Sequence, residues 1–253
     1  MVEYLIVCPL MFLGGFVDAI AGGGGIITLP AYIIAGIPAH VAIGTNKLAS
    51  SMGTAVSTGR YLKKGYLSGK GTVKYAIAAC IMSLIGSNLG ARMSLFVDEI
   101  WLKNLMIFVL PLIAVFVLKE KKPGTEGKTA EFNNSKAICL LLISAFLIGG
   151  YDGFYGPGAG TFLLILMTGV IHMEVRQASA MTKVINLSSN VSALVTYLIG
   201  DAVYARLGLT AGFFCIAGHY IGSGLVISNG QKIVRPIIIT VMVMLFVKIL
   251  TDL

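Results

Sequence analysis

The sequence predicts an all-α polytopic membrane protein made of two inverted repeats, each a Gly-broken re-entrant hairpin followed by three transmembrane helices. Three observations carry this. Of 253 residues, 57% are hydrophobic and only 12% charged, about half the roughly 25% that covers a soluble surface. Gly is abundant, 31 residues, and small residues let membrane helices approach closely or break beside a cavity. The chain also repeats itself. This composition excludes a disulfide scaffold, a disordered chain and a cytosolic globule.

The repeat is an ordered series. Gly14-Gly15 recurs as Gly149-Gly150, and Gly23 and Gly25 recur as Gly158 and Gly160. One residue is then inserted, after which Lys47 matches Lys183, Tyr61-Leu62 matches Tyr197-Leu198, and Gly86-Ser87 matches Gly222-Ser223. The boundaries are 1–118 for the first transmembrane repeat, 119–135 for a polar linker with Pro123 and Gly124, and 136–253 for the second.

The apolar runs give the elements in order. In the first half they cover 4–21, a short run 25–36, then 40–62, 72–91 and 100–118. In the second they cover 137–155, a short run 160–171, then 176–199, 206–228 and 232–251. A spanning helix needs about 20 residues. The two short runs each follow a Gly-rich break, so they read as half-helices that return to their starting side. Each half then crosses three times and the halves are inverted.

Basic residues orient this arrangement. The side of the linker and the 63–71 loop collects thirteen, Arg60, Lys63, Lys64, Lys70, Lys74, Lys119, Lys121, Lys122, Lys128, Lys136, Arg176, Lys232 and Arg235. The other collects four, Arg92, Lys103, Arg206 and Lys248. Cytoplasmic loops carry the Lys/Arg excess, so the linker is expected in the cytoplasm and both termini outside. On such a chain the net charge of +8 is a topology signal and implies no nucleic-acid partner. A cleaved leader is not expected, since Glu3 replaces a basic start and Asp18 interrupts the run before Ala19-Ile20-Ala21. The four Cys stand singly in apolar runs and read as small buried hydrophobes.

Lys47 and Lys183 remain inside the membrane, each about seven residues into a long helix. An intramembrane Lys normally faces a cavity or a partner; the bland alternative is snorkelling to an interface. Asn46 precedes Lys47, and Ser50, Ser51, Thr54, Ser57 and Tyr61 follow at helical spacing. Asn186, Asn190 and Tyr197 follow Lys183. Such a stripe suits an oxyanion path, or plain hydrogen bonding between helices. The breaks Gly22-Gly23-Gly24-Gly25 and Gly156-Pro157-Gly158-Ala159-Gly160 precede the half-helices. Each either presents free N–H groups to an anion or serves close packing. Asp18 and Asp152 each lie four residues before a break; they are candidates for ion pairs with Lys across the pseudo-two-fold or for carrying a coupling proton. The three His show no metal-ligand spacing, and no nucleophile–base pair can be argued, so neither a metal, a cofactor nor an enzyme is expected.

The segments GGFVDAIAGGGGIITLP (14–30), GYDGFYGPGAGTF (150–162), ASAMTKVINLSSN (178–190) and SNGQKIVRP (228–236) resemble the motifs of the TauE/SafE sulfite exporter family, in its YfcA-like branch. The resemblance spans essentially the whole chain. It implies a multi-pass transporter of the prokaryotic inner membrane that moves a small sulfur-containing oxyanion, such as sulfite or an organosulfonate. Under that reading Gly22, Gly23, Gly24, Gly25, Gly158 and Gly160 would cradle the anion. Lys47 and Lys183 would neutralise it, and Asn46, Ser50, Asn186 and Asn190 would add hydrogen bonds. The alternatives are an anion channel, or an intramembrane enzyme using Asp18 and Asp152; no particular oligomer is implied.

Cysteine-accessibility labelling in intact cells tests the topology. Single cysteines in the 119–135 linker and in the 63–71 loop should react only after the membrane is permeabilised, and one at the N-terminus should react without it. A protected N-terminus would put residues 4–36 through the membrane once and remove the inversion.

Overall fold

The computed structural model describes residues 1–68, 71–98, 100–102, 135–229, 232 and 236. These residues are helical, with no strand among them. In chain order they form α1 (Val2–Ala21), α2 (Gly25–Ile34), α3 (Ala39–Lys63), α4 (Thr72–Phe96), α5 (Ser135–Phe154), α6 (Ala159–Ile165), α7 (Val175–Ile199) and α8 (Ala205–Asn229). A π-helical turn, Leu166–Val170, prolongs α6. The expected runs 100–118 and 232–251 and the linker lie outside the described residues, apart from a few positions at their ends. α4 extends five residues beyond the run expected to end at 91. Arg92 is exposed on it, and a long basic side chain at a membrane edge does not end a helix because its head reaches water.

α1, α4, α5 and α8 are each long and apolar enough to cross a membrane. At 1.5 Å per residue they are roughly 30–37 Å long, against a hydrocarbon core of about 30 Å. Their outward faces are apolar: Ile77, Ile81 and Leu89 on α4, Phe213 and Ile221 on α8, and Leu147 on α5 are all exposed. α3 and α7 are as long as α4 and α8 but carry the polar stripes. They are enclosed, α3 against α8 and α7, and α7 against α4.

Two apolar clusters divide the interior. One gathers Val7, Tyr32, Ala39, Ala91, Tyr197 and Leu207; the other gathers Ile20, Tyr61, Ala76, Leu141, Val175 and Val226. α1 runs from the first cluster to the second, and its counterpart α5 runs the opposite way. The same reversal relates α3 to α7 and α4 to α8. The packing is reciprocal: α1 lies along α8, and α5 lies along α4.

Small residues make both seams. Gly86 and Gly90 of α4 face the backbone of Phe146 and Gly150 of α5, and Gly153 faces Ser87. Gly15 of α1 faces Cys215, and Gly218 and Gly222 of α8 face Phe12 and Phe16. Such seams bring backbones into contact where side chains would hold them apart.

α2 folds back along α1. The turn needs a left-handed residue, supplied by Gly22 (φ 76°), whose N–H donates to the Asp18 carbonyl at 2.8 Å. Thr28 then packs on Gly14. In the second half Gly158 (φ 79°) caps α6. The two breaks meet: Gly160 packs on Gly22, Pro157 lies against Gly25, and the Thr161 hydroxyl donates to the Ala21 carbonyl at 2.8 Å. None of the four cysteines is disulfide-bonded; Cys8 and Cys215 are buried, whereas Cys139, expected inside, is exposed on α5.

The Gly90 seam can be tested by stability. Gly90→Leu drives a side chain into the Gly150 carbonyl and should cost at least about 1–3 kcal/mol, read as a lower melting temperature in detergent. Gly59→Ala, in a helix position with open space around it, should raise stability by about 0.5–1 kcal/mol.

Candidate functional site

The site lies where the two helix breaks meet α3 and α7. Lys47 and Lys183 stand at matching depths, each eight residues from the first residue of its helix. Both are 2% exposed. A lysine that deep and that far from a helix end has no room to snorkel. Each meets a carboxylate of the other half. Lys47 Nζ is 2.8 Å from Asp152 Oδ1, and Lys183 Nζ is 2.7 Å from Asp18 Oδ2. The two lysines are therefore not unbalanced cations.

The Lys47 pair belongs to a ring of side chains. Lys47 Nζ donates to Asn190 Oδ1 at 3.0 Å, Asn190 Nδ2 donates to Asn186 Oδ1 at 3.2 Å, and Asn186 Nδ2 reaches Asp152 Oδ2 at 3.5 Å. The Ser189 hydroxyl also donates to Asp152 Oδ2. α7 supplies three of these groups because positions 186, 189 and 190 share one helix face.

The Lys183 pair is built differently. Lys183 also donates to the Asp18 backbone carbonyl, and the Gly24 N–H donates to Asp18 Oδ1 at 3.3 Å. The carboxylate thus occupies the amide end of the first break. Behind it stands His219, 1% exposed, with Nε2 3.5 Å from Asp18 Oδ2 and Nδ1 3.0 Å from the Ser57 hydroxyl. Gly53 leaves space for the imidazole.

A polar cavity opens between these pairs, lined by Asp18, Gly22, Gly25, Asn46, Lys47, Ser50, Asp152, Gly156, Gly160, Asn186 and Asn190. Its volume of about 20 Å³ is room for one water; an anion of four or more heavy atoms needs it to widen. Asn46 Oδ1 has no protein partner, so the cavity wall keeps an unspent hydrogen-bonding group, which is costly when buried.

Ten expected residues, Asp18, Gly22, Gly25, Asn46, Lys47, Ser50, Asp152, Gly160, Asn186 and Asn190, come together on this cavity. Lys183 is covered behind Asp18. Gly24 touches the site through its N–H, while Gly23 and Gly158 are buried outside the lining. Gly156, the first residue of the second break, joins the ten on the lining, whereas sequence reasoning missed Ser189 and His219. His219 carries a usable signal, since any ionisable residue within an apolar span marks a functional candidate, one that metal-ligand spacing does not register. Of the hydroxyls below Lys47, Ser51 donates to the Lys47 carbonyl at 2.7 Å and Thr58 to the Lys183 carbonyl at 3.2 Å. Among the described residues no group of three or more His, Cys, Asp or Glu is placed to hold a metal.

Comparison with known proteins gives the family of the chain. The family model "Sulfite exporter TauE/SafE" matches residues 7–249. The chain belongs to the sulfite exporter TauE/SafE family. It is 35% identical over 241 residues to a probable membrane transporter protein, ORF9, of Sinorhizobium sp., covering 95% of this chain and 90% of that one. It is 32% identical over 255 residues to the probable membrane transporter protein YfcA of Escherichia coli K12, covering 100% and 92%. It is 27% identical over 230 residues to the probable membrane transporter protein YdhB of Bacillus subtilis 168, covering 87% and 88%. No solved structure matches. The protein is a multi-pass membrane transporter of this family.

A double-mutant cycle measures the crossed pairing. Asp152→Asn leaves Lys47 buried without its counter-charge and should cost about 3–5 kcal/mol of stability. Lys47→Met alone should cost a similar amount, and the double variant should recover much of the loss. Strict additivity in unfolding experiments would mean the two side chains do not interact.

Proposed function

We propose that this family member is a secondary transporter that moves a small sulfur-containing oxyanion, sulfite or an organosulfonate, across the prokaryotic inner membrane by alternating access, in the outward direction. The observation carrying this reading is the pair of buried lysines at one depth, each bound to an aspartate of the other half around a polar cavity where the helix breaks meet. Interrupted helices around a midplane site in inverted repeats are the architecture of secondary transporters. The opposed directions of α1 and α5, α3 and α7, and α4 and α8 support that relation here. Lys47, Asn46, Ser50, Asn186 and Asn190 would contact the anion, and Gly22, Gly25 and Gly160 would let it approach backbone. The face carrying Lys63, Lys64, Lys136 and Arg176 would be cytoplasmic, and the N-terminus external.

A channel remains the second reading, separated by saturation of flux. An aspartate-dependent enzyme is disfavoured, because each carboxylate is held by a lysine of the opposite half and is not left to share a proton with the other.

Purified protein in liposomes should give saturable flux of at least one of sulfite, thiosulfate, sulfoacetate or sulfate. Lys47→Met should weaken apparent affinity by about two to four decades, while Lys47→Arg keeps the charge with altered geometry and should retain part of the activity. Parent-like transport by Lys47→Met and Lys183→Met would remove the central anion site.

A further inference from the structure

The Lys–Asp pairs are equivalent, but what stands behind each carboxylate is not. Asp152 is backed by the Ser189 hydroxyl and the Asn186 amide, neither of which titrates. Asp18 is backed by His219, and His219 by Ser57. At the repeat positions Ser83 answers His219, and Ser189 answers Gly53, the glycine that makes room for the imidazole. Neither the imidazole nor the glycine that accommodates it is repeated in the other half.

We propose that Asp18 and His219 form a proton-binding pair that couples proton movement to anion occupancy of the cavity. This rests on the anion-transport reading above. With His219 neutral, Lys47, Lys183, Asp18 and Asp152 sum to zero, so an entering anion has no net positive charge to meet in a region where uncompensated charge is costly. One proton on the Asp18–His219 pair leaves the cluster at +1, which balances a monoanion; a dianion takes two. Asp18 transmits the change because it touches both sides, lining the cavity and binding Lys183 and His219 through Oδ2.

The hydrogen bonding accepts either state. Ser57 Oγ lies 3.0 Å from His219 Nδ1 and 3.1 Å from the Thr54 carbonyl. When the imidazole is neutral, Nε2–H can donate to Asp18 and the Ser57 hydroxyl to Nδ1. When it is charged, Nδ1–H donates to Ser57 Oγ, whose hydroxyl turns to the Thr54 carbonyl, and Nε2–H still faces Asp18. In both forms Nδ1 keeps its partner in Ser57. The ionisable groups around the imidazole are Asp18 from α1, Lys183 from α7, Cys215 one turn back on α8, and Tyr61 with Arg60 further along α3. Arg60 stacks on the Tyr220 ring, 4.1 Å from its centroid. The proton and the anion cross together and leave together. An inward proton gradient alone then drives uptake, and export requires an outward anion gradient that exceeds it.

Liposomes holding the full-length protein and a trapped pH dye test this with thiosulfate and sulfoacetate. The parent should accumulate anion against its gradient when a proton gradient is imposed, with one proton entering per substrate charge. His219→Gln removes half of the proton-binding pair and should lower gradient-driven accumulation by about 100-fold, with anion–anion exchange falling alongside it, because an entering anion then meets a neutral cluster. Ser57→Ala, a milder change, removes the acceptor for Nδ1–H and should move the pH optimum of coupled flux about one unit toward acid. Parent-like accumulation by His219→Gln, or an unmoved optimum in Ser57→Ala, overturns the proposal. Saturable parent flux that ignores the proton gradient overturns it while leaving anion transport intact. No saturable flux of any anion sinks the transport reading instead. In that case nitrogen-15 spectra of the three imidazoles still judge the pair: the signal missing from His219→Gln must titrate, and one that stays neutral down to acid pH refutes it.

Discussion

Four charged side chains must be accommodated inside an apolar slab, and the arrangement of the helices follows from how they are matched. Removing a lysine or a carboxylate from water costs several kcal/mol even after relaxation. Here each lysine is answered from the opposite half, Lys47 by Asp152 and Lys183 by Asp18. Neither half can neutralise its own site. The pairing therefore acts between the two halves of the chain, where apolar contacts alone would specify little, since lipid tails compete equally well for apolar faces.

The glycine-lined seams make that crossing possible. α1 reaches Lys183 on α7 because it lies against α8 with almost no intervening side chain, and α5 carries Asp152 to Lys47 because it lies equally close to α4. The meeting of the breaks at Gly22 and Gly160 adds a second constraint. Any displacement of one hairpin presses on the backbone of the other, so the two half-helices are mechanically linked at the depth of the charges. Asp18 and Asp152 both line the cavity that remains between the breaks, about 20 Å³ in volume.

Most of the helical layout was legible because a chain so poor in charge has few alternatives. An apolar run of about 20 residues in such a composition is a spanning helix, and a run of ten after a glycine cluster is too short to be one. The depth of Lys47 and Lys183 was legible for the same reason, through the repeat. What the spacing left open was their partners. Asp18 and Asp152 could be placed near the breaks, but whether they met lysine or stood apart depended on how closely the halves approach, which is a tertiary property of the seams. His219 was harder still. Its role rests on a vacancy made by Gly53, 166 positions away in the chain, and a one-dimensional reading has no means of joining a large side chain to the absence of another. Arg92 shows the opposite case: a charge at the end of an apolar run need not end the helix, and α4 continues to Phe96.

The crossed pairing also sets the order of events during synthesis. Asp18 precedes Lys183 by 165 residues, and at about 5–20 residues per second the acid waits on the order of ten seconds or more for its counter-ion. Lys47 waits similarly for Asp152. For that interval the nascent first half holds ionisable groups in the membrane with no partner, and α1 has no α8 to lie against. A ribosome that stalls after the linker leaves a product whose polar faces nothing covers, a natural substrate for membrane quality control.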